Sequence, residues 1–188
     1  MKKIILFAVV VPLVNFGLHA QGKYITKTGK AVIYSHTVAE DISADNNNVT
    51  GIIDQSTGDI AISVPVQSFQ FEKALMQEHF NSSNFMDSKQ FPRISFRGKI
   101  TNSSSIDFSR NGKYEAIVQG ELTIKGTTQP LTEKASMEIN NGRLSVSTKF
   151  TVKDISSFGV GKPMGKKKNN VADDIDVSYT AVYEKGEE

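Results

Sequence analysis

Chemistry in this chain would have to come from few side chains. Beyond residue 20 there are two histidines, His36 and His79, and the chain has no cysteine. Without cysteine there is no disulfide, no thiol nucleophile and no Cys-based metal site. No nucleophile-elbow serine and no phosphate-cradling glycine loop with its lysine accompanies the histidines. Neither histidine has a partner at a metal-ligand spacing. His79, which follows Glu78 in an aromatic-rich stretch, reads as a structural hydrogen-bonding residue. Asp173-Asp174-Ile175-Asp176 has the composition of a calcium site and reads more simply as a solvated strand entry. The loop Gly161 to Asn170, G-K-P-M-G-K-K-K-N-N, carries Lys162, Lys166, Lys167 and Lys168. It either solubilises the chain or attracts an anionic partner, such as a lipid phosphate or membrane surface, at about 1 kcal/mol per cation near an anionic bilayer. No catalytic group, metal or cofactor is expected.

The elements that would position a site begin after a targeting segment. Lys2 and Lys3 precede the apolar run Ile4 to Val14, and Leu18-His19-Ala20 ends in a small residue. Residues 1–20 therefore read as a signal peptide cleaved near Ala20, with 21–188 as one domain in the periplasm or outside the cell. Pro12, Asn15 and Gly17 interrupt the run, which is short for a membrane span. Lys2 and Lys3 also account for the formal charge of +2: without them 20 basic side chains face 20 acidic ones. That balance argues against a nucleic-acid surface.

Period-two alternation dominates the rest. Tyr114, Ala116, Val118, Gly120, Leu122 and Ile124 share one strand face. Leu144, Val146, Phe150 and Val152 form another, Ile175, Val177, Tyr179, Ala181 and Tyr183 a third, and Ile60, Ile62, Val64 and Val66 a fourth. Asn111-Gly112 and Asn141-Gly142 are tight-hairpin signals. About eight strands result, near 29–38, 49–54, 59–68, 93–101, 113–125, 130–139, 143–153 and 171–183. Periodicity alone fits an antiparallel barrel or a two-sheet sandwich. The stretch Phe71 to Phe80 is the one convincing helix, broken by Asn81 to Asn84, with a short turn after it carrying Phe85 and Met86.

The segment Glu78 to Phe96, E-H-F-N-S-S-N-F-M-D-S-K-Q-F-P-R-I-S-F, resembles the hallmark of the YceI-like family. Gly120 to Thr132, G-E-L-T-I-K-G-T-T-Q-P-L-T, is similar to that family's strand-turn-strand motif, and Ile155 to Gly161 to its later loop. Met76 stands where the family often has Arg, and Ser157 where it has an acid. The resemblance implies an all-β fold: an eight-stranded antiparallel lipocalin-like barrel with one short helix or loop segment covering an opening. It implies a periplasmic or secreted protein that binds a long polyisoprenoid-type lipid, with transient membrane contact, without a cofactor, and of undetermined oligomeric state.

An eight-stranded barrel is either filled by its own side chains or just holds one slender ligand. As a tunnel, it would be lined by Ile62, Val64, Phe96, Tyr114, Ala116, Val118, Leu122, Val146, Phe150, Val177 and Tyr179. Small inward residues such as Gly98, Ala116, Gly120 and Ala181 would leave space, so that Ala116→Trp or Gly120→Trp should block uptake and spare the fold. Phe71, Leu75, Phe80, Phe85, Met86 and Phe91 carry more apolar surface than a solvent loop should expose. They would form a strap on the barrel or a lid over its mouth. Ser82 and Asp87 would fix turns and helix ends. Each buried CH₂ contributes about 0.8 kcal/mol, against an association cost of about 4–15 kcal/mol. A chain of about six carbons barely offsets that cost, whereas about thirty to forty clear it. The rival expectation is a structural or stress-related envelope module with a side-chain-filled barrel.

Overall fold

The computed structural model describes residues 22–37, 41–161 and 172–186. The proposed leader and the lysines at 162, 166, 167 and 168 lie outside the described residues. Nine strands form: β1 (Lys23–His36), β2 (Asp41–Asp54), β3 (Asp59–Pro65), β4 (Gln70–Phe71), β5 (Arg93–Ile100), β6 (Gly112–Ile124), β7 (Thr127–Asn140), β8 (Arg143–Val152) and β9 (Ile175–Lys185). All neighbours are antiparallel in the order β1-β9-β8-β7-β6-β5-β3-β2, and β2 pairs again with β1. The sheet thus closes into an eight-stranded barrel, with the two-residue β4 added on β2. One α-helix, α1 (Ala74–Asn81), lies in the connection between β3 and β5.

The alternation read from the sequence is the barrel's inside and outside. Two strands start much earlier than expected, β1 by six residues and β2 by eight. The reason is a pair of facing register shifts. The β1–β2 ladder slips between Thr26 and Ala31, and at the same level Val49 pairs with Gly29 while Asn46 pairs with Ala31. Buried positions therefore switch from even (Tyr24, Thr26) to odd (Ala31, Ser35) along β1, and likewise in β2 from Ala44 and Asn46 to Val49 and Ile53. A slip of one residue turns every later side chain to the other face, which hides the period.

Turn chemistry separates the two Asn-Gly signals. Asn141 and Gly142 take φ of 49° and 80° and link β7 to β8 as a two-residue hairpin. Asn111-Gly112 does not make such a turn. Gly112 opens β6, and the Asn111 side chain instead accepts the Asn141 amide at 3.0 Å, joining two loops. The second two-residue hairpin is Lys125-Gly126, with φ of 48° and 79°.

The barrel has two different ends. At one, Tyr24, Ile100, Met137, Ile139, Leu144 and Tyr183 are buried and fill the bore. Tyr114 caps this end, its hydroxyl donating toward the carbonyls of Asp107 and Arg110. At the other end arrive the β6–β7 turn, the β8–β9 connection and the long strap from Val66 to Pro92. There the bore is hollow.

Candidate functional site

The hollow half encloses a cavity of about 920 Å³. Its wall is chiefly aliphatic and aromatic, drawn from every long strand, with Lys73, Glu133 and Lys134 as its charged members. Of the eleven residues expected to line a tunnel, nine do so: Ile62, Val64, Phe96, Val118, Leu122, Val146, Phe150, Val177 and Tyr179. Tyr114 and Ala116 do not. Both lie on the expected face of β6, but nearer its start, inside the filled half.

The expectation that small residues leave space is also corrected. Gly98 and Gly120 face each other across the β5–β6 ladder. A Cβ on Gly120 would lie 2.3 Å from the Arg97 carbonyl oxygen and 2.8 Å from the Phe96 ring. The ring of Phe96 lies over both glycines, so their missing side chains admit an aromatic wall plate and leave no void. Gly51 likewise makes room for Tyr183, whose hydroxyl would sit 2.5 Å from an added Cβ.

At the floor, Tyr179 and Tyr183 are buried and join hydroxyl to hydroxyl at 2.8 Å. Burial pushes the Tyr183 hydroxyl up to about 12. Burial first, then the neighbouring Tyr183, raises Tyr179 further. Both stay protonated through the neutral range, so the floor is polar in its hydrogen bond yet uncharged.

The roof comes from the strap. Phe80, at the last turn of α1, is the hub of an aromatic cluster, with ring centroids 5.5 Å from Phe69, 4.9 Å from Phe71 and 5.9 Å from Phe85. Of the six lid candidates, Phe71, Leu75, Phe80, Phe85 and Met86 border the cavity, and Phe91 does not. Phe91 packs over the next hairpin, where a Cβ on Gly126 would meet its ring at 2.8 Å. Met86 and Phe80 are buried, while Leu75 remains 60% exposed at the rim. The strap is therefore anchored at Phe69, Phe80 and Met86 and ends in an apolar lip at Leu75.

The expected turn-makers behave as such. The Ser82 hydroxyl donates to the His79 carbonyl at 2.7 Å as α1 ends. Asp87 takes a left-handed φ of 48°, and its carbonyl receives the amides of Gln90 and Phe91. His79 differs from expectation: its ring is exposed at the cavity mouth, without a hydrogen bond among the described residues. His36 pairs with Asp41 at 2.6 Å on the outside. Asp174 accepts the Asp154 amide and Asp176 the Thr151 hydroxyl, so this acidic run braces the β8–β9 connection. No group of three metal-ligating side chains forms among the described residues.

Lys125, in the left-handed position of the β6–β7 turn, was absent from the sequence candidates. Its ammonium donates to the Ser83 carbonyl at 3.3 Å and to the Gly159 carbonyl at 3.1 Å. It thereby clasps the strap to the 3₁₀ turn Ile155–Phe158 and its Gly159 cap, while Ile155 and Val160 complete the cavity wall. The three sequence motifs, far apart in the chain, meet at this one barrel end.

The wall parts along one seam. β7 and β8 pair only from Ser136–Ser147 to Asn140–Arg143. Above Ser136, β7 keeps β6 as its partner but has no ladder on its other edge. Pro130 lies in this free-edged stretch, where a missing N–H breaks no ladder. Thr148 bridges the parting strands, its hydroxyl donating to the Lys134 carbonyl at 2.7 Å.

Comparison with known proteins agrees with this architecture. A model of the YceI-like domain matches residues 22–183. A UPF0312 protein of Shewanella denitrificans is 28% identical over 129 residues, 64% of this chain and 62% of that relative, so the match spans less than two thirds of the relative's length. A polyisoprenoid binding domain from Saccharophagus degradans, implicated in plant cell wall breakdown, superposes with a TM-score of 0.72 at 8% identity, covering 88% of this chain and 99% of that one. BcnA of Burkholderia cenocepacia superposes with a TM-score of 0.67 at 20% identity, covering 82% and 95%.

Proposed function

The chain belongs to the YceI-like family, and from that membership and its half-hollow barrel we propose that it binds one long apolar lipid of polyisoprenoid type. The observation that carries this reading is the roughly 920 Å³ apolar cavity beneath the aromatic strap. If a chain carbon occupies about the volume of a liquid water molecule, about 30 Å³, the space takes roughly thirty of them. At about 0.8 kcal/mol for each buried CH₂, partial filling already exceeds the association cost of about 4–15 kcal/mol. A hydrophilic metabolite would gain nothing comparable from this wall. On this reading the barrel binds and carries: its wall is chiefly aliphatic and aromatic, with His79 exposed at the mouth. The polyisoprenoid-binding neighbour lends the lipid class its support.

Cleavage of the leader expected at residues 1–20 would put this activity outside the cytoplasm, where an apolar tail needs a protein shell to cross water. Organic extraction of the exported protein followed by mass spectrometry tests the proposal. A near-stoichiometric isoprenoid is the expected result. Its absence, together with no uptake of added polyprenol by stripped protein, would overturn it. Intact mass of the same sample reports the leader: cleavage after Ala20 leaves Gln21 at the N-terminus, and a full-length mass would refute that boundary.

A further inference from the structure

One acidic side chain of the cavity wall has no part in the reading so far. The inward row of β7 runs through Leu131, Glu133, Ala135 and Met137, of which Ala135 and Met137 are buried. Glu133 thus occupies an apolar row, half-buried, facing the cavity and opposite Val118 on β6. It makes no hydrogen bond or ion pair to any described residue. Its neighbours are engaged elsewhere. Lys134 points to the outer face and holds Glu115 at 2.9 Å. Gln129, a polar residue further along this row, donates to the Ser157 hydroxyl at 2.6 Å. Glu133 also sits three residues from Ser136, where the β7–β8 ladder stops.

A carboxylate in an apolar wall is costly unless a donor reaches it. Ionised, it can only accept hydrogen bonds. A pure hydrocarbon ligand would deepen that cost by displacing water from it. A ligand with a hydroxyl or ammonium at one end would supply the missing donor. A phosphate or carboxylate head would bring like charge against it, and the two lysines that border the cavity are placed elsewhere: Lys134 is held by Glu115, and Lys73 lies in the strap at the start of α1.

We infer that Glu133 selects the head group: it accepts a hydrogen bond from a donor-bearing, non-anionic end of the lipid, at the seam where β7 and β8 part. This rests on the lipid-binding reading and adds an orientation to it. The head lies at mid-barrel against Glu133, and the tail runs up toward the strap. Phosphorylated isoprenoids are excluded, and free alcohols or amines are admitted.

The test compares four twenty-carbon probes on stripped protein: geranylgeraniol, geranylgeranylamine, geranylgeranyl phosphate and the hydrocarbon phytane. Native protein should bind the alcohol and amine about tenfold more tightly than phytane, a difference of the size expected for one hydrogen bond to a charged acceptor. The phosphate should bind least. Glu133→Leu should abolish the preference for alcohol and amine while retaining phytane. Glu133→Gln, whose amide oxygen still accepts, should keep alcohol binding, lose the preference for amine and relieve the exclusion of phosphate. Circular dichroism confirms the fold of each variant. An unchanged alcohol-to-phytane ratio in Glu133→Leu would overturn the inference while leaving the carrier reading intact. Failure of native protein to bind phytane and the alcohol alike would overturn both.

Discussion

The tyrosine pair at the cavity floor shows how single residues set the character of the site. Tyr179 and Tyr183 bond to each other with both hydroxyls buried. Removing one leaves the other without its partner, which costs about 1–3 kcal/mol, whereas removing both is nearer neutral. Tyr179→Phe/Tyr183→Phe should therefore lose less stability in chemical denaturation than the sum of the singles, with a coupling of at least about 0.5 kcal/mol. Strict additivity would show that the pair contributes nothing as a pair. The same residues fix an alkaline limit. With Tyr183 pushed up to about 12, the unfolded chain gives up its proton first, near the ordinary tyrosine value of about 10. Stability from this group is whole below about pH 10 and falls between about pH 10 and 12, by about 1.4 kcal/mol per pH unit. The double variant should show a shallower loss over that window. Glu133 belongs to the same scale. It was legible, since alternation from Leu131 to Ile139 puts a glutamate in the apolar row, yet one charged residue in a strand reads as an exposed one. Only closure of the barrel shows that this row faces the cavity.

At the scale of elements, the strap and the turns that hold it matter most. The aromatic content of Phe71 to Phe91 told the sequence reader that this connection must cover something. It could not say whether these rings roof a space or merely adhere to the outside, because that depends on contacts far along the chain. Lys125 supplies one such contact, and nothing in G-E-L-T-I-K-G distinguishes its side chain from any other turn lysine. Lys125→Met keeps the aliphatic stem and removes the donors to Ser83 and Gly159. For two partly exposed charge-assisted bonds a loss of about 1 kcal/mol is reasonable, or about fivefold in the opening equilibrium of the strap. Hydrogen exchange at the amides of Met86 and Phe91 should quicken by that factor, and bound lipid should leave faster, with β6 and β9 unaffected. Equal protection in native and variant protein would show the clasp to be incidental. The first half of β2 was lost to sequence reading for a different reason. D-I-S-A-D-N-N-N has the composition of a loop, but the buried Asn46 takes over hydrogen bonding where β2 and β3 diverge. Its amide donates to the Pro65 carbonyl at 2.8 Å, and its oxygen accepts the Asn48 amide at 2.9 Å.

For the whole molecule, the decisive property is that one continuous bore is filled at one end and empty at the other. Strand number and alternation were readable because they follow from local period and turn chemistry, but the boundary between the two halves is not local. Ala116 and Val118 show this best. They are two residues apart on the same inward face of β6, yet Ala116 is fully buried in the filled half while Val118 borders the cavity. The same substitution should therefore have opposite consequences. Val118→Trp places a large ring into existing space, so the barrel should fold with little change in melting temperature and lose uptake of long polyprenol. Ala116→Trp must displace neighbours in close packing, at about 1–3 kcal/mol or more, and should lower the melting temperature whether or not lipid is present. Measuring both variants by thermal melting and by lipid uptake separates filling from overpacking. Were Val118→Trp to bind polyprenol as well as native protein does, the lipid would lie elsewhere than in this cavity. Were Ala116→Trp to melt like native protein, the floor would be softer than its burial implies, and the accessible length of the bore would extend beyond the strap half.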